Sequence, residues 1–171
     1  MKSLRWFLRK EQLIKDETAK KLSKKYSEKA RTNIVTMELL SKAPEHKEIL
    51  ELPEDYDPGE WVVIAAYYAM YIAALSVLAK IGLRSKNHSA TIKVLEEFFV
   101  EKKLLDKEYL ESLEKVKLNK EELEELKKAK ERREIAKYSV TKRTSKDLAE
   151  ESRKKAHKFV DKMEELVETL E

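Results

Sequence analysis

The stretch Trp61–Ala79 reads WVVIAAYYAMYIAALSVLA and contains no charged residue. It lies in a chain of which 41% of the residues are Asp, Glu, Lys or Arg, so it must be hidden from water. Two environments can hide an apolar helix of this length: a bilayer, or the centre of a helical bundle whose neighbours surround it. Whatever covers this run determines the fold.

The composition of the run favours the centre of a bundle. It is rich in Ala rather than in Leu, Ile and Phe, so its affinity for lipid is modest. Its tyrosines, Tyr67, Tyr68 and Tyr71, lie in the middle instead of at the ends, where a membrane's aromatic belt would lie. The run also begins too far into the chain for a signal peptide. We therefore expect no membrane contact, with a single-span membrane protein as the alternative.

The overall composition predicts one helical domain over residues 1–171. Gly occurs twice and Pro three times, which leaves few residues for turns between strands. The chain has no Cys, which excludes disulfides, cysteine nucleophiles and thiolate metal sites. The absence of Cys together with the dense, mixed charge predicts a cytoplasmic protein, from a thermophile.

Turn signals divide the first half of the chain. Residues 1–43 are expected to form an N-terminal helical arm with one or two amphipathic helices. The stretch 52–61 holds two prolines and a glycine, so it forms a loop. Asp57 can cap the helix that contains the apolar run, and Gly82 can end that helix.

The second half divides in the same way. A helix is predicted over 88–103 and another from Asp106, which Asn119 and Glu122, spaced as a capping box, restart or continue. Thr144 opens a last helix with apolar residues at helical spacing. No segment alternates convincingly as a strand. The predicted fold is an all-α antiparallel bundle of about five helices.

Few residues offer recognisable chemistry. The chain has three histidines and contains no HExxH motif, phosphate-binding glycine loop, dinucleotide fingerprint or nucleophile elbow. We therefore expect no cofactor and no metal.

The positive charge is unevenly distributed. Residues 1–31 hold eleven Lys or Arg against four acidic residues, whereas the net charge of the whole chain is only +4. An ordinary solvated surface explains such a segment, and so does a surface that meets nucleic acid. The sequence leaves both readings open.

Several short motifs follow one another in an order that resembles a known family. They are Tyr67-Tyr68-Ala69-Met70-Tyr71, Ala73-Ala74, Gly82, His88-Ser89, Phe98-Phe99-Val100, Arg133-Glu134-Ile135-Ala136-Lys137-Tyr138 and Phe159-Val160. Their order and spacing resemble the HEPN domain family, in its small stand-alone prokaryotic, toxin-like branch. The resemblance covers about residues 60–165.

The resemblance implies four or five helices, usually in a homodimer that covers the apolar surface left on the outer helices. Many members are metal-independent ribonucleases that act as the toxin of a toxin–antitoxin pair, with a small nucleotidyltransferase-like protein as antitoxin. Their signature is an Arg and, four to six residues on, a His. An Arg can grip phosphate, and a His can move the proton of an RNA 2′-hydroxyl.

Carried onto this chain, the resemblance implies three site residues. Arg133 would hold phosphate, Tyr138 stands where the signature has its His and would orient the substrate, and His88 would transfer the proton. The predicted function is RNA or nucleotide binding with metal-independent cleavage. A non-catalytic interaction and dimerisation protein on the same scaffold is the alternative. In that case His88 is a helix-capping residue and the tyrosines belong to the core.

Overall fold

The charge-free run forms the central helix of the protein. The computed structural model describes residues 2–131 and 145–170, and within them the predicted all-α bundle is confirmed. The regular elements are α1 (Leu4–Arg9), β1 (Leu13–Lys15), α2 (Ser23–Lys42), α3 (Gly59–Lys80), β2 (Leu83–Ser85), α4 (His88–Leu95), α5 (Lys107–Glu131) and α6 (Ser145–Thr169). Short 3-10 helices cover Glu17–Leu22 and Ala43–His46, and a π-helical turn covers Glu96–Val100.

Helix α3 runs through the centre and packs against α2, α4, α5 and α6. Small side chains make this close packing possible. Ala66, Ala69 and Ala74 are 0% exposed, and Ala73 is 1% exposed. With no side chain beyond Cβ at these positions, the neighbouring helices can approach α3 closely. The same helix has the length and hydropathy of a membrane span, but 67% of that window is buried inside the protein, as in a core helix.

One side of α3 is not covered by the described residues of the same chain, so within one protomer the run is only partly hidden from water. Trp61 is 56% exposed and Tyr68 is 45% exposed. Ile64, Ile72 and Leu75 follow at helical spacing on the same side and are only partly buried. These five residues, the α3 stripe, form an apolar surface that the described parts of the chain leave open.

Both predicted ends of α3 are confirmed. The Oδ1 atom of Asp57 accepts a hydrogen bond of 2.9 Å from the backbone N–H of Gly59, which caps the first turn. Gly82 follows the last turn with φ of +70°, the left-handed conformation that ends many helices. A Cβ atom there would also lie 2.5 Å from Oε1 of Glu17.

A two-stranded antiparallel sheet was not predicted. In it, Leu13 lies opposite Ser85 and Lys15 opposite Leu83. Each strand has three residues, which is too short for an alternating pattern to stand out in the sequence. The sheet fastens the N-terminal segment to the bundle, and Leu13 is 2% exposed.

The helix predicted over 88–103 is α-helical only to Leu95 and then becomes π-helical over Glu96–Val100. At Asn119 the helix continues rather than restarts, which is one of the two predicted alternatives. Asn119 is fully buried, and its Nδ2 donates to Oγ of Ser152 on α6 at 3.1 Å. This bond sets the register of α5 against α6.

Replacing Ala73 with Leu should destabilise the protein. Ala73 is 1% exposed, so the larger side chain would force neighbouring helices apart at a cost of about 1–3 kcal/mol. Urea unfolding followed by circular dichroism measures this loss. Val35→Leu on the exposed side of α2 is the control and should change stability by less than about 0.5 kcal/mol. Equal losses in the free energy of unfolding for both variants would show that α3 is not closely packed at Ala73.

Candidate functional site

A local hydrogen-bond network holds His88 in place at the start of α4. Asn87 caps the helix, and its Oδ1 accepts from the backbone N–H of Ala90 at 2.8 Å. The hydroxyl of Ser85 donates to the carbonyl oxygen of Asn87 at 2.9 Å, and the hydroxyl of Thr91 donates to Ser85 Oγ at 2.9 Å. The cap of this helix is therefore Asn87, and His88 is left available for other contacts.

The His88 ring lies against two tyrosines of α3. The Tyr67 and Tyr71 rings are one helical turn apart and stacked, with centroids 6.0 Å apart and an interplanar angle of 3°. The His88 centroid is 6.0 Å from each of them, with interplanar angles of 31° and 28°. The three rings, called the aromatic triad below, form a surface on which another flat ring can stack.

His88 is uncharged at neutral pH in this setting. Burial, together with the positive charge of Lys117 and against a smaller opposing effect of Glu121, lowers the pKa of His88 to about 4. Neither ring nitrogen has a hydrogen-bond partner, and both are shielded from solvent. In this conformation the ring offers an aromatic face, and its nitrogens are not placed to exchange a proton with a ligand.

The tyrosines of the triad also stay neutral. Burial raises the pKa of Tyr67 to about 12. Burial likewise raises the pKa of Tyr71, against a hydrogen bond with Thr91 that lowers it, and the nearby Tyr26 of α2 adds to the rise. Their hydroxyl groups therefore remain hydrogen-bond donors over the physiological pH range.

A cavity of about 300 Å³ opens beside His88, between α4 and α5. The residues that line it are His88, Ser89, Ile92, Glu114, Lys117 and Leu118. Lys120 lies one turn further along α5, with its Nζ 5.4 Å from the centre of the Tyr67 ring. The cavity itself is thus lined by the His88 ring and by Lys117, and Lys120 lies beside the neighbouring Tyr67 ring.

The two lysines are weakly held by carboxylates of their own helix. Lys117 Nζ lies 3.3 Å from Oε1 of Glu121, and Lys120 Nζ lies 3.0 Å from Oε1 of Glu124. Exposed ion pairs of this spacing contribute about 0.3–0.5 kcal/mol. An anionic ligand can therefore replace the carboxylates at little cost.

Of the three predicted site residues, the structure places His88 in this cavity. Arg133 and Tyr138 lie outside the described residues, so their convergence with His88 stays a prediction. Arg84, near His88 in sequence, is held by Asp16 at 3.0 Å. Within residues 2–131 and 145–170, no three His, Asp or Glu residues are grouped to hold a metal ion.

Sequence reasoning missed Lys117 and Lys120 altogether. They lie in a stretch of α5 where charged residues alternate in sign, and only the rotation of α5 against α4 turns these two toward the triad. It had weighed Tyr67 and Tyr71 as core residues or site residues. In the structure both are half-buried, and both rings lie against His88.

The stability of the protein should depend on His88 at mildly acidic pH. Between pH 6.5 and about 4 the unfolded chain binds a proton at this residue that the folded protein excludes, so the free energy of unfolding should fall as the pH drops. The fall from one such group is at most about 1.4 kcal/mol per pH unit. His88→Phe should remove it, as measured by urea unfolding from about pH 7.5 to pH 5.

The matched control is His46→Phe, because His46 is exposed. The free energy of unfolding of this variant should depend on pH in the same way as that of the wild type. If the wild type and His88→Phe lost the same free energy of unfolding as the pH falls, the His88 ring would have to be solvated.

Comparison with known proteins identifies the family. The family model for the HEPN domain matches residues 36–166. No curated protein and no solved structure matches the chain significantly. The match spans most of the chain, includes the aromatic triad and the cavity, and leaves residues 1–35 outside. The chain therefore belongs to the HEPN domain family.

Proposed function

We propose that this HEPN protein binds single-stranded RNA, with one base held at the aromatic triad. HEPN domains are generally associated with RNA or nucleotides, and many are ribonucleases. The observation that carries the proposal is the stack of Tyr67, Tyr71 and His88 beside Lys117 and Lys120. Proteins that bind single strands combine aromatic platforms for the bases with positive charge along the backbone.

The size and charge of the cavity fit this ligand. A volume of about 300 Å³ is at the lower end for ligand sites, which suits one nucleotide unit rather than a larger cofactor. A base against His88 and Tyr67 would place its phosphate near the α5 lysines. A neutral His88 suits stacking, since it brings no charge that must be desolvated.

The geometry supports binding more directly than cleavage. Proton transfer requires a group within hydrogen-bond reach of the substrate, whereas both His88 nitrogens are covered. The catalytic roles of His88, Arg133 and Tyr138 stay predictions, as do the toxin role and a nucleotidyltransferase-like antitoxin.

Removing one ring and one lysine of the site should weaken RNA binding. In the variant Tyr67→Leu with Lys120→Gln, a base loses its stacking partner, which is worth about 1–3 kcal/mol. We expect the Kd for a 20-nucleotide single-stranded RNA to rise by about 5- to 100-fold, measured by fluorescence anisotropy at fixed salt.

The control variant is Tyr109→Leu with Lys107→Gln, which removes the same two side-chain types elsewhere. Tyr109 packs against Phe159, away from the cavity. Circular dichroism should show both variants folded. An equal loss in both, or no loss in either, would contradict RNA binding at the triad.

We also propose that a second copy of the chain covers the α3 stripe. The stripe is apolar and runs beside the tyrosines of the triad on the same helix, and a two-fold contact is the commonest way to bury such a surface. The family resemblance also implies a homodimer. The non-catalytic alternative predicts this dimer as well.

Charge placed in the stripe should produce monomers. Trp61→Glu with Tyr68→Glu would bury two carboxylates in the proposed contact, which is strongly unfavourable. Light scattering at micromolar concentration should find a dimer for the wild type and a monomer for this variant. Val35→Glu with Leu39→Glu, on the exposed side of α2, is the control and should stay dimeric. A monomeric wild type would rule out this contact.

A further inference from the structure

The net positive charge of the protein comes from its first 31 residues. Eleven Lys or Arg against four acidic residues give this segment +7, whereas the whole chain carries +4. The rest of the chain is therefore net negative. The family match begins at residue 36, so this basic segment lies outside the matched residues.

Most of these charges are unpaired and face solvent. The exposed cationic residues of the segment are Lys2, Arg5, Arg9, Lys10, Lys15, Lys20, Lys21, Lys24, Lys25 and Lys29. Among the described residues, one of these ten forms an ion pair, Lys20 with Glu17 at 2.8 Å. Positive charges crowded in this way repel one another, and a polyanion would relieve that repulsion.

The fold fixes this segment next to the aromatic triad. Strand β1 pairs with β2, and β2 ends three residues before His88. The backbone N–H of Lys86 donates to the carbonyl oxygen of Gln12 at 2.9 Å, directly before the turn that presents His88. Phe7 is 2% exposed, which anchors α1 as well.

Helix α2 continues the basic surface to the triad. Lys25 and Lys29 are one turn apart on its exposed side, and Lys21 lies one turn before them. Oγ of Ser23, at the start of α2, donates to the carbonyl oxygen of Ser76 on α3 at 2.9 Å, so this end of α2 lies against α3 just beyond Tyr71. The surface of Lys21, Lys25 and Lys29, called the α2 lysine row, therefore lies at the end of α2 that packs beside the triad's helix.

We propose that the α2 lysine row and the neighbouring basic segment hold the phosphate backbone of an RNA strand whose base occupies the triad. The proposal rests on the proposed function and extends it, because it makes the ligand a strand of several nucleotides rather than a mononucleotide. Single-stranded sites pair such backbone contacts with stacking platforms.

A membrane surface fits this segment less well. Peripheral membrane proteins insert large apolar side chains beside their basic residues. The exposed large apolar side chains of the described chain are Val35, Leu39, Ile49, Leu50, Trp61, Tyr68, Leu104 and Leu118, and none lies within residues 2–31.

The salt dependence of RNA binding tests the proposal. Each phosphate contact on a single strand contributes about 0.7 to the slope of log K against log salt concentration. Lys21→Gln with Lys25→Gln and Lys29→Gln should therefore lower the slope for a 20-nucleotide RNA by about 2. The Kd near 0.1 M salt should rise by about 10- to 100-fold. Binding of a tetranucleotide should change by less than about threefold.

The control is Lys42→Gln with Lys102→Gln and Lys158→Gln, which removes the same charge elsewhere and should leave the slope unchanged. An equal drop in slope for both triple variants, or none for the α2 lysine row, overturns the proposal. The proposal is also overturned if the variant of the α2 lysine row retains its RNA affinity and loses binding to phosphatidylserine vesicles. Unchanged tetranucleotide binding by Tyr67→Leu with Lys120→Gln would instead contradict the proposed function.

Discussion

The burial of α3 is the constraint on which the rest of the structure depends. A charge-free helix in so charged a chain is stable in water only when other helices cover it. Its row of alanines lets α2, α5 and α6 approach closely, so the positions of these helices follow from it. Where α3 ends, Gly82 turns the chain into β2 and α4. The position of His88 is therefore also set by the central helix.

The candidate site lies where the cover of α3 is incomplete. Tyr67 and Tyr71 lie on α3 between its core-facing side and its open stripe, and both are partly buried. The network around Asn87 then brings His88 against them. Helix α3 thus supplies the centre of the core, the two rings that His88 packs against and an uncovered apolar stripe. Changes in core packing would therefore reach the site directly.

Strong local signals made part of this structure predictable from the sequence. Asp57 and Gly82 define the ends of α3 through a cap and a left-handed turn, and both act within a few residues. The pairing of β1 with β2 was not predictable, because each strand is three residues long and the partners are distant in sequence. Asn119 looked like a cap because its spacing fits one. Its real partner, Ser152, lies on another helix.

His88 is a less stabilising residue at its position than an apolar ring would be. An unpaired buried polar group costs about 1–3 kcal/mol, and a phenylalanine would stack on Tyr67 and Tyr71 without that cost. Natural proteins break such local rules mainly at functional sites. The site around His88 also has two lysines near it and a basic segment beside it. A ligand with an aromatic base and a phosphate chain would match the rings with its base and the lysines and the basic segment with its phosphates.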